Sequence, residues 1–540
     1  MKISFFSRKL DVNQFSLLMA FACMLVCICL VLTTLFFENG VIYSALFDDG
    51  MISYRYAQNI ANGIGPYWNQ GDKVEGFTNP LWTYLIAFFY FISNHNLYLT
   101  PLFIQFFGSL LLSSSVFIAA KLALSNGLGL YKYYTWPSVL TSISPIIFYP
   151  CIYWSVYGME NSLIILVNFL IFVISYSGFF KLDRITSKYE CFFLFFLAFL
   201  AQLTRPDSFV ILIPIAFLSY CYNSNRSQSL FNHLYLKPLS VCTGLLLAFC
   251  FVSIWRRLYF NSDVPNTYTL KVLGIPFADQ VYSGAVYLLP LIVALIPIAV
   301  IYYLVVQQNS KNFVLSKHFL IILFLVSIYQ IRIGGDPWPY WRVLSSPIQI
   351  FLFIFLYELQ QTKKFRMPFA LNVHIFVIIA IIVLNFQFII KDGFGIFRYL
   401  LGDFSSGIYQ VTANKKNIVT ALRIKQNFPS NSKIAVVWAG VIPAYLPNHY
   451  AVDILGKSEG YIASLSSKPN ISWLGMKTVP GHNKYDLKYV LDKYQPDYMQ
   501  IAKWGIDDLT TNQRFSNYYQ YCDYFSGYIK KSTVSCPADN

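Results

Sequence analysis

The sequence predicts a polytopic α-helical membrane protein that ends in a soluble α/β domain. Of its 540 residues, 56% are hydrophobic and 12% are charged, whereas soluble proteins carry roughly 25% charged residues. Apolar runs long enough to cross a bilayer recur along the first 390 residues, so the apolar excess does not belong to one large core. After Ile390 the charge content becomes ordinary and strand-like runs appear, which indicates a separate soluble domain.

The apolar runs provide twelve candidate membrane spans. The first follows a short basic region and precedes no A-x-A-like cleavage site, so we expect a retained helix rather than a cleaved signal peptide. The candidates at 80–93 and 137–152 are short, and one of them is expected to be re-entrant or half-buried. The other candidates are 15–37, 99–121, 160–179, 190–203, 207–222, 238–255, 282–306, 317–331, 343–358 and 370–390.

Basic clusters beside these runs predict the orientation, because cytoplasmic loops are enriched in Lys and Arg. The N-terminus is expected in the cytoplasm and the C-terminal part outside it, across a bacterial inner membrane. Opposite sides require an odd number of crossings, so about 11–13 spans are expected. Of the net charge of +15, most belongs to short loops among the apolar runs, and this placement does not indicate a nucleic-acid partner. The alternative for the clusters is binding to lipid headgroups or an anionic substrate. They are Lys2-Arg8-Lys9, Lys181-Arg184-Lys188 and Lys363-Lys364-Arg366.

Two domains are predicted. Residues 1–391 form a transmembrane module whose first outward loop covers about 38–80, and residues 392–540 form an extracytoplasmic α/β domain. The second contains the strand-like run 433–438 and a helix-like stretch at 486–494. Cys522 and Cys536 lie in this polar tail and could pair in an oxidising compartment, although spacing alone does not decide it.

The first outward loop contains the strongest candidates for chemistry. Asp48 and Asp49 directly follow the first span, and adjacent carboxylates near a membrane are costly to desolvate. Such a group could act as general base toward an acceptor hydroxyl or coordinate a cation. The alternative is that one of them caps the helix that follows. Candidate substrate-binding residues of the same loop are Arg55, Glu75, Thr78 and Asn79.

A second set of polar residues brackets later spans on the same predicted face. Cationic side chains at that depth suit a phosphate, because guanidinium and ammonium groups stabilise phosphoryl oxygens strongly. The alternative for each is snorkelling at a helix end. Nearby aromatic residues, including Trp68 and Trp338, could stack on a sugar, but an interfacial aromatic belt also explains them. The candidates are Glu160, Arg205, Asn266, Lys271, Asp336 and Arg342, with Arg256 and Arg257 as further cations.

Several strings carry a resemblance to a known family. The stretch "DDGMISYRYAQNIANGIGPYWNQGDKVEGFTNPLW" at 48–82 resembles the first periplasmic loop of GT-C fold glycosyltransferases similar to the terminal β-arabinofuranosyltransferases of cell-wall arabinan synthesis. The similarity continues in "YGMEN" at 157–161, "LTRPDSFVIL" at 203–212, "VPNTYTLK" at 264–271 and "GGDPWPYWRVLSSP" at 334–347. The tail strings "AVDILGKSEGYIA", Gly481-His482 and "QPDYM" also resemble it.

The resemblance implies a GT-C-like fold, a polyprenyl-phosphate sugar donor and an inverting transfer to an envelope glycan or lipid. An acidic residue after the first span then serves as base, and Asp48 is preferred over Asp49. The sequence departs from the family at Gly50, at Lys457, where a neutral residue is usual, and at Asp207, where Glu is common. These last two departures leave the identities of donor and acceptor open.

Composition and motifs leave other points open. A transporter or flippase of lipid-linked sugars is the alternative function, but it needs neither the acidic pair nor an outer soluble domain. The cofactor is unknown: a divalent cation at Asp48 and Asp49 is compatible with the sequence but not indicated by it, and no Cys/His spacing suggests zinc. The expected partners are the donor, the acceptor and membrane lipids.

Overall fold

The computed structural model describes residues 11–125, 136–180, 187–224, 235–308, 310–362, 367–403, 407–468 and 475–537. Most of the basic positions used to predict orientation lie outside these ranges. They are Lys2, Arg8, Lys9, Lys181, Arg184, Lys363, Lys364 and Arg366.

The N-terminal part places the first outward loop between long helices. Asp11 begins the first helix with a reciprocal capping box to Gln14. A two-stranded antiparallel hairpin then leads into an amphipathic helix that is buried over most of its length. The elements are α1 Val12–Leu32, β1 Leu35–Glu38, β2 Val41–Ser44, α2 Asp48–Ala61, α3 Pro80–Ile92 and α4 Leu99–Ser125.

The helices continue as a bundle around a buried centre. The candidate span 137–152 is divided into three short helices, because Pro145 and Pro150 lack the backbone N–H that a continuous helix needs. The helices are α5 Trp136–Ser142, α6 Ser144–Ile147, α7 Tyr149–Val156, α8 Asn161–Ser175, α9 Ser187–Thr204, α10 Phe209–Ser224, α11 Leu236–Phe260, α12 Asn266–Lys271, α13 Phe277–Gln308, α14 Val314–Arg332, α15 Ser345–Gln361 and α16 Met367–Phe388.

The chain is a multi-pass membrane protein. In the part of the chain that the structure describes, seven helices are long and apolar enough to cross a membrane, and α3 and α8 are shorter apolar helices. Helix α15 is buried along residues 345–359, and α9 packs closely on α11, where Gly244 meets the carbonyl of Phe195. The total of about 11–13 crossings stays a prediction.

The helical layer extends beyond the predicted boundary. A π-helical turn, Ile389–Gly393, joins α16 to α17 Phe394–Leu400, and this segment belongs to one candidate span, Ile375–Tyr399. The predicted boundary between residues 391 and 392 therefore falls within a helix. Lys391 and Asp392 resemble the start of a polar segment, although Asp392 is buried. The division into two domains stays a prediction.

The C-terminal part contains a five-stranded mixed sheet in the order β4-β3-β5-β9-β8. Strand β3 pairs in parallel with β4 and β5, whereas β9 pairs antiparallel with β5 and β8. The elements are α18 Tyr409–Asn427, β3 Lys433–Val436, α19 Val441–Tyr445, β4 Tyr450–Asp453, α20 Gly460–Ser464, α21 Leu487–Tyr489, β5 Tyr498–Met499, β6 Lys503–Trp504, β7 Asp507–Asp508, α22 Gln513–Tyr518, β8 Tyr519–Cys522 and β9 Gly527–Lys530.

The sheet is attached to the membrane part rather than held apart from it. Helix α19 packs on α2 and α18, and residues Val436, Ile442 and Tyr445 join the same buried cluster as the membrane helices. A second core lies within the sheet domain itself. Cys522 and Cys536 form a disulfide across 5.7 Å between their Cα atoms, which decides the pairing that the sequence left open.

Candidate active site

The acidic pair lies at the beginning of α2, but neither carboxylate caps that helix. Phe47 occupies the N-cap position and no side chain caps the helix. Asp48 instead accepts hydrogen bonds from the backbone N–H groups of Gly440 (3.2 Å) and Val441 (2.8 Å), at the start of α19. Gly440 is required here because any Cβ would collide with the carbonyl oxygen of Asp48. The capping alternative is therefore excluded by the observed geometry.

The two carboxyl groups have opposite electrostatic properties. Burial raises the pKa of Asp48 to about 7, and Lys457 and the two backbone amides only partly offset this effect. Burial alone would also raise the pKa of Asp49, but three neighbouring cations, of which Lys457 is the strongest, hold that pKa well below its usual range. Near neutral pH, Asp49 is therefore charged while Asp48 can accept or release a proton.

Asp49 is surrounded by donors from distant parts of the chain. Nζ of Lys457 lies 2.6 Å from Oδ1 of Asp49, and the indole N–H of Trp338 donates to Oδ2 at 3.1 Å. Arg342 lies 3.6 Å from the same Oδ2 atom and also pairs with Asp336 at 3.0 Å. The sequence singled out Lys457 only as a departure from the family, so its partnership with Asp49 was missed.

The loop between α14 and α15 holds Trp338 and Arg342 against Asp49. Asp336 fixes this loop, because its carboxylate accepts from the backbone N–H of Trp338 and from Arg342. Tyr340 and Trp341 have φ angles of 80° and 40°, a region that few residues other than glycine adopt. Strain of this kind persists only where the surroundings enforce it, and it is common at functional sites.

Lys271 is the cation of this cluster that is not engaged by a partner. It ends α12 and is half-buried, and within the described ranges its ammonium group makes no hydrogen bond or ion pair. Asp336 and Asp49 attract it electrostatically, whereas burial lowers its pKa. A partly desolvated ammonium group of this kind is suited to bind an anionic ligand.

A second network adjoins the first and contains three predicted residues. Arg205 pairs with Asp207 through two N–H groups at 2.9 Å each, and with Glu160 at 2.7 Å. Glu160 also accepts from the side-chain amide of Asn79 at 2.9 Å. Electrostatic coupling of Arg205 to Asp336 connects the two networks. Arg205 is thus occupied by carboxylates rather than directed at an open space.

Other predicted residues hold loops. Arg55 directs all five of its N–H donors to protein oxygens, four of which are backbone carbonyls. This corrects the prediction that it binds substrate. Glu75 pairs with Arg256, and Asn266 donates to the carbonyls of Gly456 and Lys457. Thr78 is half-buried beside Asn79.

The cations predicted to converge separate into groups. The structure brings Lys271 and Arg342 to Asp49, with Arg205 in the adjoining network. Arg256 belongs to the pair with Glu75, and Arg257 is exposed and pairs with Asp263.

A histidine also lies close to the acidic pair. His482 packs its ring edgewise on Trp338 with 6.1 Å between centroids, and burial lowers the pKa of His482 to about 4. In the sequence, Gly481-His482 stands out only as part of the resemblance. Among the residues that the structure describes, no three His, Cys, Asp or Glu side chains are grouped so that they could hold a metal ion.

The sequence and the structure were each compared with known proteins. No family model matches the chain. A 39-residue stretch is 49% identical to the terminal β-(1→2)-arabinofuranosyltransferase of Mycobacterium tuberculosis, and this match covers 7% of this chain and 6% of that protein. The structure is similar to that of ArnT from Cupriavidus metallidurans bound to undecaprenyl phosphate, with a TM-score of 0.48 and 12% identity over 80% of this chain and 84% of that one.

Proposed function

We propose that this chain is a membrane glycosyltransferase of the GT-C class that moves a sugar from a polyprenyl-phosphate donor to a glycan or lipid of the cell envelope. The observation that carries the proposal is the buried acidic pair of α2, in which Asp49 pairs with Lys457 and Arg342 while Asp48 accepts from two backbone amides. These different surroundings displace the pKa values of the two carboxyl groups in opposite directions. Neighbouring groups displaced in this way are typical of acid–base sites. The short match to an arabinofuranosyltransferase and the motifs of the first outward loop support the reaction class.

Asp48 is the proposed general base. It removes the proton from an acceptor hydroxyl while the hydroxyl oxygen attacks the anomeric carbon of the donor sugar. The bond from that carbon to the phosphate oxygen breaks, the electron pair leaves with the phosphate, and attack from the opposite side inverts the configuration. A pKa of about 7 suits this role, because the group is partly ionised at neutral pH yet still basic. Asp49 is less suitable, because the cations beside it hold its pKa low and leave it a weak base.

Lys271 and Arg342 are the proposed contacts to the donor phosphate. Lys271 has no partner in the described ranges, and Nε of Arg342 is buried there without a hydrogen bond. A phosphate between them would receive charge-assisted hydrogen bonds that strengthen as the leaving group gains charge. Asp336 and Asp49 orient Arg342, and Arg205, Glu160 and Asn79 form the adjoining support.

The proposed orientation places the acidic pair and the sheet domain outside the cytoplasm of a bacterial inner membrane, with the N-terminus inside. The Cys522–Cys536 disulfide supports this, because such bonds persist in oxidising compartments. In this proposal the transmembrane module extends through Leu400, and the sheet domain follows it.

A transfer assay tests the proposal. Purified full-length chain in nanodiscs is supplied with a panel of radiolabelled short-chain polyprenyl-phosphate sugars and an envelope glycan extract, and labelled glycan is measured. Mass spectrometry of envelope glycans from a deletion strain should show a lost sugar and accumulated donor. Donor binding and translocation in proteoliposomes without transfer to any acceptor would identify a transporter instead.

A further inference from the structure

A cavity lies between the first outward loop and the sheet domain. Its volume is about 390 Å³, within the roughly 300–1,000 Å³ of ligand pockets. Residues 68–69 and 71–74 form one wall, and residues 450–453, 458–460 and 493–494 form the other. None of these residues belongs to the catalytic or phosphate-binding groups proposed above.

One loop separates this cavity from the acidic pair. Lys457 directs its ammonium group to Asp49, while the next two residues, Ser458 and Glu459, line the cavity. Asp453 holds the loop in this shape, because its carboxylate accepts from the backbone N–H groups of Leu455, Gly456 and Ser458. A ligand in the cavity would therefore lie close to Lys457, the residue that stabilises the ionised form of Asp49.

The lining groups offer both donors and acceptors. Lys73 brings an exposed ammonium donor to the lining. Oδ2 of Asp72 accepts from Tyr450 (2.8 Å) and from Asn69 (3.0 Å), whereas its Oδ1 atom accepts from no described residue. Sugar hydroxyls both donate and accept, so they can satisfy such a pair of groups at once.

The aromatic content and the charge of the lining narrow the class of ligand. Tyr450 and Tyr494 provide apolar ring surface with polar edges. The lining contains three carboxylates and two ammonium groups, so its formal charge is negative and disfavours a phosphate or another anion. The carboxylates are Asp72, Asp453 and Glu459, and the ammonium groups are Lys73 and Lys493. In this proposal Lys271 and Arg342 bind the donor phosphate, while the cavity suits an uncharged, hydroxyl-rich ligand.

We infer that this cavity is the binding subsite for a neutral carbohydrate segment of the acceptor. The inference rests on the proposed glycosyltransferase function and adds the place at which the acceptor is held. The loop 453–460 then links acceptor binding to the acidic pair, since an occupied cavity contacts the residue adjacent to Lys457.

Two variants test the subsite in the full-length protein. Gly460→Trp fills the cavity without removing a side-chain contact, because a Cβ at Gly460 meets only Val74, at 4.0 Å. Asp72→Asn removes the free acceptor atom while keeping the shape of the side chain. Asp72→Asn should raise the KM for acceptor about 10-fold or more, as expected for a lost hydrogen bond to a charged group. Gly460→Trp should also raise this KM about 10-fold or more, because its ring occupies the space of the ligand. The kcat and donor binding should be unchanged in both variants. The matched control is Asp492→Asn, which alters an exposed ion pair with Arg514 next to the cavity wall.

A binding measurement without donor tests the subsite independently of the proposed transfer reaction. Saturation-transfer NMR without donor uses methyl glycosides of neutral pentoses and hexoses, glucosamine and inorganic phosphate as probes. Neutral glycosides should bind the wild type and the control but not Gly460→Trp. Binding of neutral glycosides by a wild type that transfers no sugar would contradict the proposed function and keep the subsite. An unchanged acceptor KM in both folded variants, or preferential binding of phosphate, would overturn the subsite.

Discussion

Nζ of Lys457 lies 2.6 Å from Oδ1 of Asp49, an ion pair between residues 408 positions apart. Both side chains are largely buried, so each depends on the other for charge compensation. The contact therefore makes the electrostatics of α2 depend on the folded sheet domain. A buried charge that loses its partner is strongly destabilising, whereas loss of both charges is often nearly neutral.

This pair predicts a specific pattern in a double-mutant cycle. Lys457→Met should lower the free energy of unfolding by about 3–5 kcal/mol, because Asp49 stays buried and loses its closest cation. The combination of Lys457→Met with Asp49→Asn should recover much of that loss. Chemical unfolding in detergent measures the cycle, and additive effects of the two substitutions would show that the pair is not coupled.

Replacement of the proposed base should stop transfer. Asp48→Asn is expected to lower kcat by about 10²–10⁴-fold, because an amide cannot accept the hydroxyl proton. It also loses one backbone hydrogen bond at Gly440 or Val441, so a destabilisation of about 1–3 kcal/mol is expected and the folded fraction must be matched. Asp49→Asn serves as the comparison. Normal transfer by Asp48→Asn would remove Asp48 from the mechanism.

The raised pKa of Asp48 predicts two opposite pH dependences. Transfer should increase as pH rises through about 7 and then level off, because only the ionised carboxylate is a base. Stability should change in the other direction: the folded state binds the proton more tightly than the unfolded state, so this contribution is full below about pH 4 and is lost as pH rises through about 7. Rate and unfolding profiles between pH 5 and 9 test both, and Asp48→Asn should flatten each.

Lys271 should contribute mainly to binding of the donor phosphate. Lys271→Ala is expected to weaken binding of a polyprenyl-phosphate sugar by roughly 10- to 150-fold, the value of one charge-assisted contact. Arg257→Ala is the matched control, because Arg257 is exposed and pairs with the exposed Asp263. Equilibrium binding in nanodiscs gives the comparison. Equal effects of the two substitutions would indicate a general charge effect and no phosphate site at Lys271.

The orientation has its own test. An alkaline phosphatase fusion placed after residue 403 should be active, because the disulfide-containing domain is proposed to lie outside the cytoplasm. A maleimide reagent added without reductant should leave Cys522 and Cys536 unlabelled and should label both after reduction. Activity of a cytoplasmic reporter at the same position would reverse the topology and the proposed site with it.

Some of this organisation could be predicted because it is local in sequence. Apolar runs show membrane helices directly. The acidic pair after the first run could be singled out from sequence, and its role in catalysis stays a prediction. The interruption at Pro145 and Pro150 was also within reach, since proline removes the donor that a helix requires.

Other parts could not be predicted because their partners are distant or carry no side-chain signal. Asp48 is bound by the backbone amides of Gly440 and Val441, which any sequence provides at any position. Arg55 has the appearance of a ligand-binding arginine, and only the fold shows that carbonyls occupy its donors. Lys457 was visible as a departure, but its meaning depended on a contact across the whole chain.

The guanidinium group of Arg55 determines whether the membrane part can be separated from the sheet domain. Three of its donors join α2 to the carbonyls of Pro443, Leu446 and His449, so a chain cut before the sheet domain would leave these three donors without their acceptors. The membrane part and the sheet domain are therefore not exchangeable modules. A chimera that borrows its sheet domain from another transferase would have to borrow α2 as well.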